Sequence, residues 1–230
     1  MVNKLIILIP IFIILIILLF IKIIFFYSSD NMFAHGSRDN PVIALTFDDG
    51  PASETKKILN VLEEENVSAT FFVTGESIEK NPDIFKKLVE SKNEIGSHSF
   101  THDKLNFERG QRINSSISSN DKLLAKYDVS TYLFRPPYLW RSLILDFESR
   151  TLGKKIILAD VKAGDYKSSK DEIIKKVLQN TRNGSIIDFH DYAYGIGEVK
   201  NTADALKIII PELKNRGYEF ATVSELLGFK

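Results

Sequence analysis

From Pro41 onward the chain alternates short apolar, β-branched runs with longer amphipathic stretches, and this alternation limits the possible folds more than any other feature. Strands are predicted at 42–47, 69–73, 94–97, 132–134, 156–160, 185–190 and 219–222. Helices are predicted at 53–65, 82–92, 111–126, 142–151, 170–182 and 200–216. In the first helix Ser53 can cap, and Ile58, Leu59, Val61 and Leu62 form an apolar stripe beside Lys56, Lys57 and Glu63 to Glu65. Strand–helix alternation through one domain calls for a mostly parallel sheet, and seven strands favour its closure into a barrel. In such barrels the chemistry gathers at the carboxyl ends of the strands.

Ahead of this domain, residues 5 to 27 are apolar apart from Lys22. At about 1.5 Å per residue, such a run can cross a bilayer core of roughly 30 Å. Lys22 can snorkel, and Phe25, Phe26 and Tyr27 suit an interfacial edge. A cleaved signal peptide would have a shorter apolar region and a small-residue cleavage site after it, and no such site follows Tyr27. The chain therefore divides into a transmembrane anchor at 1–27, a polar linker at 28–40 containing His35, and one domain at 41–230. Lysine plus arginine match aspartate plus glutamate at 30 each, which gives no bulk charge for nucleic acid. The absence of cysteine removes disulfides and thiolate chemistry.

Polar residues cluster where the predicted strands end. The run Val42-Ile43-Ala44-Leu45 feeds into Thr46-Phe47-Asp48-Asp49-Gly50. Successive side chains of a strand point to opposite faces, so Asp48 and Asp49 need not share a role; one can bind a metal while the other handles a proton. The same Asp-Asp-Gly-Pro cluster is also common turn material. His98 and His102 stand four residues apart and, with one carboxylate, make a three-ligand set that leaves positions open for water and substrate. Three of the four histidines, His98, His102 and His190, fall at predicted strand ends. Arg135-Pro136-Pro137-Tyr138 follows the fourth strand, Asp160 to Tyr166 the fifth, and His190-Asp191 ends the sixth.

In order, Thr46-Phe47-Asp48-Asp49-Gly50, His98-x-x-x-His102, Arg135-Pro136-Pro137-Tyr138, Asp165-Tyr166 and His190-Asp191 resemble the motifs of the polysaccharide deacetylases, carbohydrate esterase family 4. The likeness covers about residues 41 to 226. It implies a distorted (β/α) barrel and hydrolysis of the N-acetyl group of an amino sugar in an envelope glycan or lipid-linked sugar. The implied ligands are Asp49, His98 and His102, holding a divalent metal, usually zinc, with cobalt or another first-row metal as substitutes. Such an ion activates water and polarises the amide carbonyl. Asp48 is then the base, Arg135 its ion-pair partner, the Tyr138 backbone N–H an oxyanion donor, and His190 the acid that Asp165 orients. The resemblance places this domain outside the cytoplasm, tethered to the membrane by a single pass. The alternative is an inactive carbohydrate-binding protein on the same fold. The chain departs from the family pattern at Lys162 in place of an aspartate, Tyr166 in place of tryptophan, Leu139 in place of glycine, and Asp188 in place of an aliphatic residue. Counting by two along 185–190 turns Asp188 inward with His190, where either Lys162 on a neighbouring strand pairs with it or Lys162 points outward and Asp188 meets water or another donor.

Overall fold

A computed structural model describes residues 8–16, 18–19, 28–105, 108–196 and 199–229. The described residues give nine strands: β1 (Met32–Phe33), β2 (Val42–Asp48), β3 (Thr70–Val73), β4 (Glu94–Ser97), β5 (Leu133–Phe134), β6 (Lys155–Ile157), β7 (Val161–Lys162), β8 (Ile186–His190) and β9 (Glu219–Phe220). Every ladder is parallel, in the order β1-β6-β5-β4-β3-β2-β8-β7, with β9 beside the start of β2. The helices are α1 (Ser53–Glu64), α2 (Gly75–Lys80), α3 (Pro82–Val89), α4 (Gly110–Ala125), α5 (Leu143–Thr151), α6 (Lys170–Asn180), α7 (Thr202–Asn215) and α8 (Val223–Leu227).

The parallel α/β architecture expected from the alternation is present, but its closure and strand count differ. The predicted strand 156–160 ends early, at Ile157, and a separate short strand follows at Val161–Lys162. β6 pairs with β1 and β5, whereas β7, only a few residues later, pairs with β8 at the far end of the order. Leu158 N donates to Phe33 O at 2.7 Å, and Asp160 N donates to Ile186 O at 3.3 Å. Residues 158–160 thus hop from one side of the sheet to the other, which forces the sheet to curl. Among the described residues no ladder joins β1 to β7, so the result is a half-barrel and not a closed one.

Residues 28–40, expected to be a linker, are partly built into the domain. Met32 and Phe33 pair with Ile156 and Ile157, and buried Asn31 donates to Asp146 Oδ1 at 3.3 Å and to Lys154 O at 3.0 Å. The expected membrane span at 5–27 lies largely outside the described residues. Residues 8–16 and 18–19 are helical and exposed, and among the described residues no helix is long and apolar enough to cross a membrane.

Helix ends follow local chemistry. Thr74, Ser142, Ser169 and Thr222 accept from backbone N–H groups in the first turns of α2, α5, α6 and α8. Ser53 is the first residue of α1 and not its cap; there Thr55 Oγ1 accepts from Ala52 N at 2.7 Å. The largest apolar cluster joins Phe47, Phe71 and Phe189 of β2, β3 and β8 to the inner faces of α1, α3, α6 and α7. Its burial fixes three adjacent strands whose carboxyl ends carry Asp48, Thr74 and His190.

Candidate active site

Asp48 is the last residue of β2, fully inside the ladder, and its Cα stands opposite that of His190 on β8. Asp49 follows at φ 80°, the left-handed region, which turns its carboxyl away from the path of the strand. That turn is held from outside, since Thr74 Oγ1 and Ser77 Oγ both donate to Asp49 O, at 3.3 and 2.7 Å. Ser99 and His102 also have positive φ, so the segment after β4 is a loop folded back on itself and not a helical turn.

That loop brings His98 Nε2 to 3.2 Å and His102 Nε2 to 3.1 Å from Asp49 Oδ1. His98 Nδ1 donates to Arg135 O at 2.7 Å, which fixes the tautomer and leaves Nε2 with a free lone pair. Donors about 2.0–2.1 Å from a tetrahedral ion lie roughly 3.3–3.4 Å from one another. Both distances to Asp49 Oδ1 meet that spacing to within a few tenths of an ångström, and all three atoms lie within 4.8 Å of one another. Asp49 Oδ1 is buried with no hydrogen-bond partner among the described residues, a costly state unless a cation supplies the missing interaction. One carboxylate and two imidazoles of this kind fit a divalent transition metal. Burial pushes the Asp49 carboxyl up, but the adjacent His102 and His98 rings outweigh it and hold the group well below the usual carboxylate range.

Beside this triangle lies a guanidinium with no solvent exposure. Arg135 Nη1 donates to Asp48 Oδ1 and to Thr46 Oγ1, each at 2.7 Å, while Nη2 donates to Leu158 O at 3.1 Å. Its charge stacks on the Phe72 ring at 4.1 Å. A planar fork held from this many directions keeps Asp48 oriented.

On the other flank His190 Nδ1 donates to Asp165 Oδ1 at 3.0 Å. Asp165 Oδ2 accepts from His190 N at 2.8 Å and from Thr202 Oγ1 at 2.7 Å, so the carboxylate cannot rotate freely. Burial lowers the His190 imidazolium pKa, but the carboxylates of Asp165 and Asp188 more than offset this, and it lies well above the ordinary histidine value.

The structure therefore brings together Asp48, Asp49, His98, His102, Arg135, Asp165 and His190, all chosen from the sequence. Tyr138 stands at the rim with φ 61° and its ring 4.7 Å from that of His102. The expected Lys162–Asp188 pair does not form. The two residues are register partners, yet Lys162 is exposed, and among the described residues no ion pair joins them. Lys162 lies on the last strand of the half-barrel, where its side chain reaches water. The cation near Asp188 is Arg135 instead, at 3.7 Å. The Asp188 carboxyl joins Asp48 and His190 in a second cluster, pushed up to about 7 by burial and by the Asp48 charge.

Sequence reasoning missed two contributors. Tyr194 stacks on His102 with ring centroids 4.7 Å apart and planes 3° from parallel, and its N–H donates to Asp49 Oδ2 at 3.4 Å. Asp191 accepts from Gly50 N at 2.8 Å and from Thr55 Oγ1 at 2.6 Å, tying the Asp48–Asp49 loop to β8. The adjacency of Asp191 to His190 was the one available signal.

Comparison with known proteins agrees with this geometry. The family model for polysaccharide deacetylase matches residues 35–156. The chain is 37% identical over 199 residues to the peptidoglycan-N-acetylglucosamine deacetylase PgdA of Listeria monocytogenes, covering 84% of this chain and 40% of that one. It is 32% identical to a peptidoglycan-N-acetylglucosamine deacetylase of Bacillus cereus, covering 82% of this chain and 89% of that one. The crystal structure of the Bc1960 peptidoglycan N-acetylglucosamine deacetylase superposes with a TM-score of 0.82 at 31% identity, covering 87% of this chain and 94% of that one. The chain belongs to the polysaccharide deacetylase family, carbohydrate esterase family 4. It spans about two fifths of the length of the Listeria relative.

Proposed function

We propose that this chain is a metal-dependent N-deacetylase of amino sugars in a cell-envelope glycan, either peptidoglycan or a lipid-linked sugar. The observation that carries the reading is the Asp49–His98–His102 triangle set between two oriented proton-transfer groups, Asp48 on Arg135 and His190 on Asp165. The names of the relatives support an N-acetylated peptidoglycan sugar as substrate.

A divalent metal on the triangle, zinc being the usual ion, supplies Lewis-acid activation of water and of the amide carbonyl. Asp48, held in orientation by Arg135, takes a proton from the water that adds to the carbonyl carbon. The Tyr138 backbone N–H binds the oxygen that gains charge as the carbon becomes tetrahedral. His190 then gives its proton to the nitrogen as the C–N bond breaks, so acetate and a free amine leave. Asp165 keeps His190 charged and correctly turned for that transfer. Residues 5–27 anchor this domain to the membrane by a single pass, with the cleft on the extracytoplasmic side.

Acetate release from N-acetylglucosamine oligomers, measured together with bound metal, tests the reading. Asp49→Asn and His102→Ala should lose stoichiometric metal and activity together, because a three-ligand site has none to spare. Asp48→Asn should keep its metal and lose activity on the order of 100-fold or more. Full activity in metal-free protein, or normal metal occupancy in both ligand variants, would overturn it.

A further inference from the structure

The helix that runs away from the active-site rim carries an apolar face that the fold does not cover. On α5, Leu145 and Ser149 are buried against the domain, whereas Leu143, Ile144 and Phe147 are 55, 49 and 64% exposed. Positions 143, 144 and 147 share one side of a helix at about 100° per residue. Among the described residues from 28 onward, seven large hydrophobic side chains are exposed, and four of them (Tyr138 and these three) lie within ten residues of sequence. Scattered exposed apolar residues need no explanation, but a cluster on one helix does.

The path of the N-terminal chain indicates what covers it. Arg150 of α5 forms an ion pair with Asp30 and donates to Ser29 Oγ at 3.3 Å, and Asp146 of α5 accepts from Asn31 Nδ2 at 3.3 Å. Residues 29–31 are therefore pinned to this helix. Only three residue steps separate Tyr27 from Asp30, a span of at most about 11 Å when fully extended. If residues 5–27 cross the bilayer, α5 cannot stand far from the lipid headgroups. At the other end of the helix the chain passes through Ser142 and Arg141 to Trp140 and Tyr138, whose rings lie 5.1 Å apart, with Tyr138 against His102. The short leash, the apolar face and the rim of the cleft lie along one continuous stretch of the molecule.

We propose that Leu143, Ile144 and Phe147 of α5 rest in the bilayer interface and hold the cleft at the membrane surface, where the preferred substrates are N-acetylated sugars carried on lipid. The lipid-facing part rests on the anchor reading above, and the substrate part on the deacetylase reading.

The chain contains no cysteine, so Ile144→Cys, Phe147→Cys and Lys207→Cys each give a single site for a nitroxide label. Lys207 is an exposed control on α7, which packs mainly against α1 and α6. The full chain is reconstituted into phosphatidylcholine–phosphatidylglycerol vesicles and floated. Labels at 144 and 147 should be reached better by oxygen than by a water-soluble nickel chelate, and the label at 207 the reverse. If the vesicles carry the protein but the chelate reaches 144 and 147 as freely as 207, the membrane face is wrong while the anchor stands. Spin–spin broadening at 147 that disappears on dilution with unlabelled chain would assign the face to a second copy and overturn the proposal. A chain that fails to float overturns the anchor and the proposal together. None of these readouts depends on catalysis.

The substrate part is tested with Ile144→Ser combined with Phe147→Ser. Its kcat/KM on a soluble N-acetylglucosamine oligomer should stay within about twofold, while that on a lipid-linked N-acetylated sugar in the same vesicles falls about tenfold as the effective concentration is lost. Equal changes on both substrates would overturn it. Absence of turnover on either substrate by the unaltered chain would overturn the deacetylase reading and the substrate part together, leaving the label result intact.

Discussion

His190 and Asp188 stand two apart on β8 and face the same cleft, one carrying a raised pKa because carboxylates surround it, the other because burial disfavours its charge. A histidine that must donate its proton works below its folded pKa, so the alkaline limb of activity should follow His190 and be lost as pH rises through that raised value. Asp165→Asn keeps an acceptor for Nδ1 but removes a charge. The alkaline limb of kcat/KM should therefore move to lower pH, and an unmoved limb would show that His190 is not the group being titrated. Asp188 acts in the same direction, but through stability. A carboxyl whose pKa rises on folding is least costly when protonated, and ionising it removes stability as pH climbs from its ordinary range through about 7. Replacing it with the aliphatic residue usual in the family should thus raise Tm at pH 8, with the advantage shrinking toward pH 5. An Asp188→Leu variant less stable than the parent at pH 8 would contradict the assignment. The site's main residues were legible because each stands in a short motif with recognisable chemistry. Asp188 was legible as an inward carboxylate, but its partner was not. Arg135 is distant in sequence, and its reach across β2 leaves no local pattern, whereas Lys162 was suggested by strand adjacency alone.

The turn between β2 and α1 shows how an element places chemistry. Gly50 donates its N–H to Asp191, and its carbonyl accepts from Thr74 N at 3.1 Å, so the loop is clamped from β8 and from the start of α2. A Cβ built at Gly50 would lie 2.1 Å from Asp191 Oδ2. Gly50→Ala must therefore push Asp191 away and release the loop that carries Asp49. We expect a loss of about 1–3 kcal/mol in stability, as overpacking of a tight site commonly costs, together with weaker metal binding. Titration calorimetry and thermal melts check this, and an Ala variant with parental metal affinity would show that the clamp does not position the ligand. Most helices were legible to within a few residues because their apolar stripes and terminal Ser or Thr residues act locally. The short helices α2 and α8 were missed because each is little more than a capped turn. The aromatic wall over His102 was missed for a different reason. Tyr194 reaches it from the loop after β8, and its value lies in a ring-to-ring stack that sequence spacing does not encode.

At the scale of the molecule, the largest difference from the sequence reading is where the domain begins. Residues 28–40 are polar and aperiodic, the usual pattern of a linker, and two strand residues are too few to show a period. Tertiary partners make them part of the fold. β1 covers the edge of β6, Met32 packs beside the cluster of Leu105, Ile113 and Phe134, and Phe33 meets Phe229 edge-to-face at 5.0 Å, so the two ends of the domain close on each other. The end of the predicted strand at Ile157 was illegible on similar grounds. The apolar run continues through Leu158 and Ala159, and only the change of neighbours from β1 at β6 to β8 at β7 marks the break. The role of β1 has a direct consequence for truncation. A chain begun at residue 28 keeps Asn31, Met32 and Phe33 and should unfold at the same temperature as the full domain. A chain begun at residue 35 exposes the edge of β6, leaves the Asp146 carboxylate and Lys154 carbonyl without Asn31, and strips Phe229 of its aromatic partner. Losing two buried hydrogen bonds and two apolar side chains should cost roughly 3 kcal/mol or more, and the open strand edge should promote self-association. Thermal melts and light scattering on the two chains decide the matter. Equal Tm values and a monomeric shorter chain would return residues 28–34 to the role of a tether.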